Sequence, residues 1–96
     1  MSAFYPAIST GEKTSSETVK TGNGYLTSVL VITDGTNAAT VIAYDNTSAA
    51  GKKLGEWTVA GATGYGGRNW TFPVAFATAL HIAISGTGAS AIIEYV

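Results

Sequence analysis

The sequence predicts an all-β fold, an antiparallel β-sandwich of the jelly-roll type with about seven or eight short strands. Runs rich in β-branched and aromatic residues alternate with turn residues at short intervals, and Tyr25–Thr33 is the clearest of these runs. No apolar stripe with the 3.6-residue period of a helix is present, so we expect no significant helix. Because about eight strands fill two four-stranded sheets, we prefer a jelly roll to a distorted barrel. The length of 96 residues predicts a single domain over residues 1–96.

The N-terminal segment predicts edge structure rather than core. Phe4–Ile8 has the composition of a short strand, and residues 1–12 are alternatively an extended N-terminal arm. Lys13–Thr21 is polar and rich in threonine, which favours one edge strand.

Two hairpins are predicted further along the chain. Tyr25–Thr33 and Ala38–Asp45 flank an Asp-Gly pair, which is a strong hairpin signal. Ala79–Ser85 and Ala89–Val96 flank a Gly-Thr-Gly turn and form the second predicted pair.

The middle of the chain predicts two further strands separated by a loop. Leu54–Ala60 carries Trp57 and has the composition of a strand. Gly61–Arg68 is rich in glycine, and we expect a flexible loop there. Asn69–Phe76 is extended, and Pro73 places it at a sheet edge or a bulge because proline cannot donate a ladder hydrogen bond.

The alternation of side chains assigns a core face to the last two strands. Leu80 and Ile82 share one face of their strand, and Ile93 belongs to the apolar face of the next. Pairing Ile82 with Ile93 keeps the large residues together and sets His81 opposite Glu94 on the outer face. That outer face is otherwise small and apolar.

The low content of charge is the strongest indication of function. Charged residues make up 11% of the chain, against about 25% in an ordinary soluble domain. Apolar residues lie on both faces of several predicted strands, which indicates that protein covers part of the surface. We therefore expect a homo-oligomer. The lysine and arginine residues are scattered and do not form the cluster that a nucleic-acid-binding surface requires. No signal peptide or membrane-spanning run is predicted.

No combination of residues predicts catalysis, a metal or a cofactor. His81 is the only histidine, and the predicted His81–Glu94 pair lies in mid-strand without a nucleophile, so we expect no enzyme activity. The chain has no cysteine. Asp34 and Asp45 offer oxygen ligands, but their neighbours are those of turns. The glycine-rich segment lacks the ending of a phosphate-binding loop.

The residues that predict binding are aromatic, basic or part of the apolar outer face. Aromatic and arginine side chains are enriched among residues that dominate interface energy. Trp57 and Trp70 are the residues of a possible sugar-stacking platform, although tryptophans more often anchor a core or an interface. The candidate contact residues are Tyr65, Arg68, Trp70, His81, Ile92 and Glu94.

Three motifs carry a resemblance to a known class of proteins. They are the stretch TDGTNAATVIAYDNTSAAGK at Thr33–Lys52, the segment FPVAF at Phe72–Phe76, and the closing run at Leu80–Val96. Over about residues 25–96, the chain resembles small β-sandwich structural proteins of tailed bacteriophages and prophages. The resemblance implies a virion component, and several such jelly-roll proteins form trimers on the capsid as decoration, or cement, proteins.

The expected function is that of a capsid decoration protein made in the host cytoplasm and located on the capsid surface of the virion. Its expected partners are sister subunits, in a trimer by analogy, and the major capsid protein or another virion protein. The alternative is a receptor- or carbohydrate-binding module of a phage tail or fibre. Neither function requires a cofactor, a nucleic acid or a membrane.

Overall fold

Two four-stranded antiparallel sheets, A and B, pack face to face in the computed structural model, which describes residues 7–96 apart from the side chain of Phe72. The strands are β1 (Ile8–Lys13), β2 (Glu17–Thr21), β3 (Gly24–Ile32), β4 (Ala39–Asp45), β5 (Lys52–Val59), β6 (Tyr65–Phe76), β7 (Ala79–Ser85) and β8 (Ser90–Tyr95). Sheet A has the order β1-β8-β3-β6, and sheet B has the order β2-β7-β4-β5.

The strand order is that of a jelly roll. The first strand pairs with the eighth, the second with the seventh, the third with the sixth and the fourth with the fifth. Consecutive strands therefore lie in opposite sheets, except for β4 and β5. The predicted all-β sandwich is confirmed. Within residues 7–96 the only helical segment is the 3₁₀ turn Gly61–Thr63, and no helix is long and apolar enough to cross a membrane.

The core lies between the two sheets and is built from alternate residues of their central strands. Leu80 and Ile82 of sheet B face Ile93 of sheet A, and all three are at most 1% exposed. Their predicted inward orientation is therefore confirmed. Burying each aliphatic side chain of this size contributes about 1.5–3 kcal/mol.

Both predicted hairpins are wrong, because each connection crosses from one sheet to the other. β3 lies in sheet A and β4 in sheet B, while β7 lies in sheet B and β8 in sheet A. The Asp34 carboxylate accepts hydrogen bonds from the backbone N–H groups of Thr36 (2.9 Å) and Asn37 (2.7 Å). These bonds lower the pKa of Asp34, with Asn37 the main cause. They hold the turn that carries the chain across the end of the sandwich.

The connections at this end pack against one another. Thr33 donates its hydroxyl to the Gly61 carbonyl (2.8 Å), and its N–H donates to the Gly64 carbonyl (2.7 Å). A Cβ at Gly86 would overlap the Ala38 carbonyl oxygen, so the β7–β8 turn needs glycine where it meets the β3–β4 turn. These contacts fasten the three connections at this end of the sandwich to one another.

The predicted His81–Glu94 pair does not form, and this correction follows from the same crossing. In β7, His81 pairs with Thr18 and Tyr44, whereas Glu94 in β8 pairs with Ser28 and Ser9. The two side chains lie on the outer faces of different sheets.

The predicted loop at Gly61–Arg68 is wrong in its second half, since only residues 61–64 of it lie between strands. β6 begins at Tyr65 and includes Gly67, whose φ is 147°. A Cβ at this position would overlap the Val29 carbonyl oxygen. Glycine is therefore required for the close approach of β6 to β3 and does not indicate mobility. β6 is an edge strand of sheet A, as Pro73 predicts.

The N-terminal prediction is corrected in part. The single edge strand predicted at Lys13–Thr21 is divided, since Lys13 ends β1 and β2 begins at Glu17. Both strands do occupy sheet edges. Residues 8–12 belong to β1 rather than to an extended arm, and Phe4–Pro6 lie outside the described residues.

A second aspartate organises the opposite end of the sandwich. At the end of β4, the Asp45 carboxylate accepts hydrogen bonds from the backbone N–H groups of Ala77 (3.0 Å) and Thr78 (2.8 Å). These hydrogen bonds, that from Ala77 first, hold the pKa of Asp45 below its usual value. Asp45 thereby anchors the turn through which the chain passes from sheet A back to sheet B.

Candidate functional site

A groove crosses the outer face of sheet A at right angles to the strands. The register places Gly67 beside Leu30 and Leu30 beside Ile92, so these three residues form an apolar row across β6, β3 and β8. Gly67 has no side chain, and this opens the row at its β6 end. Leu30 is 37% exposed. The row is the floor of the groove.

Polar side chains form a second row beside this floor. Asn69 pairs with Ser28, and Ser28 pairs with Glu94, so an amide, a hydroxyl and a carboxylate lie in line across the same strands. The Ser28 hydroxyl donates to Glu94 Oε1 at 2.7 Å. The hydrogen bond orients the carboxylate along one side of the groove.

An aromatic side chain stands on the opposite side of the floor. Tyr65, at the start of β6, is 69% exposed. Together these groups line an open groove of about 570 Å³, which we call the sheet A groove. The groove is lined by Ser28, Val29, Leu30, Tyr65, Gly66, Gly67, Arg68, Asn69, Ile92 and Glu94.

The two tryptophans lie on the other side of β6, where the sandwich closes along its edge. Trp57 of β5 packs against Trp70 of β6 edge to face, with 5.6 Å between ring centroids. The Arg68 guanidinium lies 5.3 Å from the centroid of the Trp70 ring. Both tryptophans pack against the core, so they join the two sheets and do not form an exposed platform.

The outer face of sheet B is built differently. Its central row joins Glu56, Ile42 and Ala83, and the next row joins Lys53, Tyr44 and His81. Lys53 and Glu56 form an ion pair at 3.0 Å, and this hydrogen bond raises the pKa of Lys53. The other side chains of these two rows, Ile42, Ala83, Tyr44 and His81, are apolar or aromatic.

His81 has a structural hydrogen bond. The Thr18 hydroxyl donates to the Thr47 carbonyl (3.0 Å) and lies 2.9 Å from His81 Nδ1. Because the hydroxyl has one proton and a carbonyl only accepts, Nδ1 is the donor to Thr18. His81 therefore fixes the edge strand β2 to β7.

The candidate contact residues separate into three places. Tyr65, Arg68, Ile92 and Glu94 all line the sheet A groove, whereas Trp70 lies at the edge between the sheets and His81 on sheet B. Ser28, Leu30 and Asn69 were not predicted, because they join the site only through the β3–β6 and β3–β8 registers. The one feature of the sequence that could have indicated Asn69 was its alternation with Tyr65 and Gly67 along one strand.

The Asp34 and Asp45 carboxylates bind backbone N–H groups. Among the described residues no group of three or more His, Cys, Asp and Glu side chains is placed to hold a metal ion. Asp34 and Asp45 both serve turns, as their sequence context predicts.

No family model, curated protein or solved structure matches the chain. The resemblance to phage structural proteins thus stays a prediction.

Proposed function

We propose that the protein is a virion structural protein of a tailed phage or prophage, and more specifically a capsid decoration protein. In this proposal it acts by binding, without catalysis, and associates with itself before or during attachment to the capsid. The resemblance favours a trimer.

The observation that carries the proposal is the outer face of sheet B. Its middle is occupied by Ile42 and Ala83, both half-buried already within one chain. In the two rows described above the only charged side chains are Lys53 and Glu56, which neutralise each other. Such a face loses little solvation of charge when another protein covers it. We therefore assign sheet B to contact between subunits.

The fold supports the same class of function. Eight-stranded jelly rolls of two sheets recur in capsid and lectin domains, although a fold by itself does not determine a function. The scarcity of charge across the whole chain adds to this support.

Light scattering tests the proposal, with and without purified capsids of the phage that encodes the chain. We expect an oligomeric mass at micromolar concentration and depletion of the protein from solution by capsids. A single-chain mass together with no capsid binding would overturn the proposal.

A matched pair of variants locates the contact. Ile42→Glu places a charge in the middle of the sheet B face, and we expect it to reduce the mass to that of one chain. Leu30→Glu introduces the same change on the outer face of sheet A and is expected to keep the oligomeric mass. Circular dichroism on both variants verifies that each is folded.

A further inference from the structure

We propose that the sheet A groove binds a neutral oligosaccharide. The inference goes beyond the proposed capsid function and does not depend on it, because the groove lies on the sheet that faces away from the proposed subunit contact.

The two sides of the groove match the two kinds of surface on a sugar ring. The floor formed by Leu30 and Ile92 is apolar, and the exposed ring of Tyr65 rises beside it. The C–H faces of a pyranose pack on such surfaces, as apolar groups pack on aromatic rings. On the other side, Asn69 offers a donor and an acceptor and Glu94 offers acceptors, which are the partners that sugar hydroxyl groups require.

The charges of the groove favour a neutral ligand. Its lining includes one carboxylate, Glu94, whereas the Arg68 guanidinium lies against Trp70 on the other side of β6. Glu94 forms no ion pair among the described residues. An anionic ligand meets repulsion from Glu94, and a cationic ligand gains little from a single exposed carboxylate. A purely apolar ligand would cover the carboxylate with only the Ser28 hydroxyl as its partner, which is costly.

The position of the groove argues against an extended peptide as the occupant. Peptides that add to a sheet bind through the free backbone groups of an edge strand. The floor of this groove instead crosses β3 and β8, whose backbones are paired on both sides. At its β6 end, the free backbone groups of the edge strand point away from β3 in the plane of the sheet and not over its outer face. Recognition here therefore depends on side chains. The volume of about 570 Å³ lies within the range of sites for small ligands.

The binding experiment follows backbone amide resonances by NMR on the full chain. Neutral oligosaccharides of hexose, deoxyhexose and N-acetylhexosamine units are added one at a time to millimolar concentration. Hexalysine and an oligogalacturonate serve as the cationic and anionic probes. We expect saturable shifts confined to the groove rows, above all at Leu30 and Asn69, with at least one neutral oligosaccharide and with neither charged probe.

Two variants with matched controls assign the site. Tyr65→Ala removes the aromatic side, and Glu94→Gln keeps the shape and one acceptor but removes the charge. We expect each to weaken binding about tenfold. Tyr25→Ala, at another exposed tyrosine of sheet A, and Glu56→Gln, on sheet B, are expected to leave binding unchanged.

Three results would overturn the inference. The first is the absence of shifts in the groove rows with every neutral oligosaccharide, and the second is binding of hexalysine or oligogalacturonate alone. The third is broadening of the groove resonances with protein concentration in the absence of a probe, which would assign the groove to a second copy of the chain. Because all variants are also measured for mass, a failure of saccharide binding is distinguishable from a failure of assembly.

Discussion

The outer faces of sheets A and B are formed by strands of one small sandwich, yet their charged side chains are arranged differently. Sheet A carries the groove, in which Glu94 accepts a hydrogen bond from Ser28 and forms no ion pair among the described residues. On the outer face of sheet B, Lys53 and Glu56 form an ion pair with each other. Glycine at position 67 leaves the β6 end of the groove floor without a side chain.

In the two proposals, low charge serves two purposes in one chain. A face whose charges neutralise each other suits contact with a large protein surface, since few groups lose solvation. A groove with separated polar and apolar rows suits a small ligand that brings its own hydrogen-bonding groups. The predictions below compare equivalent changes in the two sheets.

The largest expected difference concerns glycine. Gly67→Ala introduces a Cβ that overlaps the Val29 carbonyl oxygen at a φ of 147°, and we expect a loss of about 3 kcal/mol or more in the free energy of unfolding. Gly55→Ala in β5 meets the outer edge of the Trp57 ring at 2.6 Å, which moves more easily than backbone, so we expect about 1 kcal/mol. Urea denaturation measures both. Equal losses would contradict the account of the β3–β6 approach.

The next difference concerns two aspartates. Asp45 ends β4 in sheet B, and Asp34 follows β3 in sheet A. Asp45→Asn removes one of the two oxygens that bind Ala77 and Thr78, and we expect a loss of about 1–2 kcal/mol in the free energy of unfolding. Asp34→Asn keeps an acceptor for its local turn and is expected to have a smaller effect. A larger loss from Asp34→Asn in urea denaturation would reverse the proposed order.

The hydrogen bonds of Asp45 predict how the free energy of unfolding depends on pH. The folded-state pKa of Asp45 lies below the value of 3.8 for the unfolded chain. Its stabilisation is therefore complete above that pH and is lost as the pH falls through the folded-state pKa. We expect a shallower acid decline in Asp45→Asn than in the wild type when urea midpoints are compared between neutral pH and about pH 3. Parallel declines would show that Asp45 does not contribute.

The smallest individual effects concern two threonine hydroxyls. In sheet B, the Thr18 hydroxyl binds both Thr47 and His81, so Thr18→Val is expected to cost about 1 kcal/mol. In sheet A, the buried Thr27 Oγ1 has no hydrogen-bond partner among the described residues, so Thr27→Val is expected to be neutral or to stabilise by up to about 1 kcal/mol. Thermal denaturation measures the direction of each change in stability. A loss of stability in Thr27→Val would reveal a partner for this hydroxyl.

The sequence predicts the faces of the strands better than their partners. Alternation correctly assigns Leu80, Ile82 and Ile93 to the core, because a period of two depends only on which side of a sheet is buried. The same alternation arises whether two strands lie side by side or face each other across the core. For that reason the pattern alone does not exclude the wrong pairing of His81 with Glu94.

The predicted jelly roll and the predicted hairpins were inconsistent with each other. In a jelly roll most consecutive strands lie in opposite sheets, and a hairpin around Asp34 is incompatible with that topology. Glycine was the second source of error. At position 67, glycine permits two backbones to approach, whereas the glycine-rich composition of Gly61–Arg68 alone suggests a mobile loop. The groove depends on both features, so only part of its lining was predictable.

The central claim is that sheet B is covered in the assembled protein and that the groove of sheet A is open. Ile42 and Ile92 are half-buried isoleucines at the centres of the two outer faces, and their methyl groups report on each face directly. The decisive measurement is the relaxation of these methyl resonances by a soluble gadolinium chelate in the assembled protein. The account predicts a shielded Ile42 and an accessible Ile92. Equal relaxation, or a shielded Ile92 beside an accessible Ile42, would contradict it.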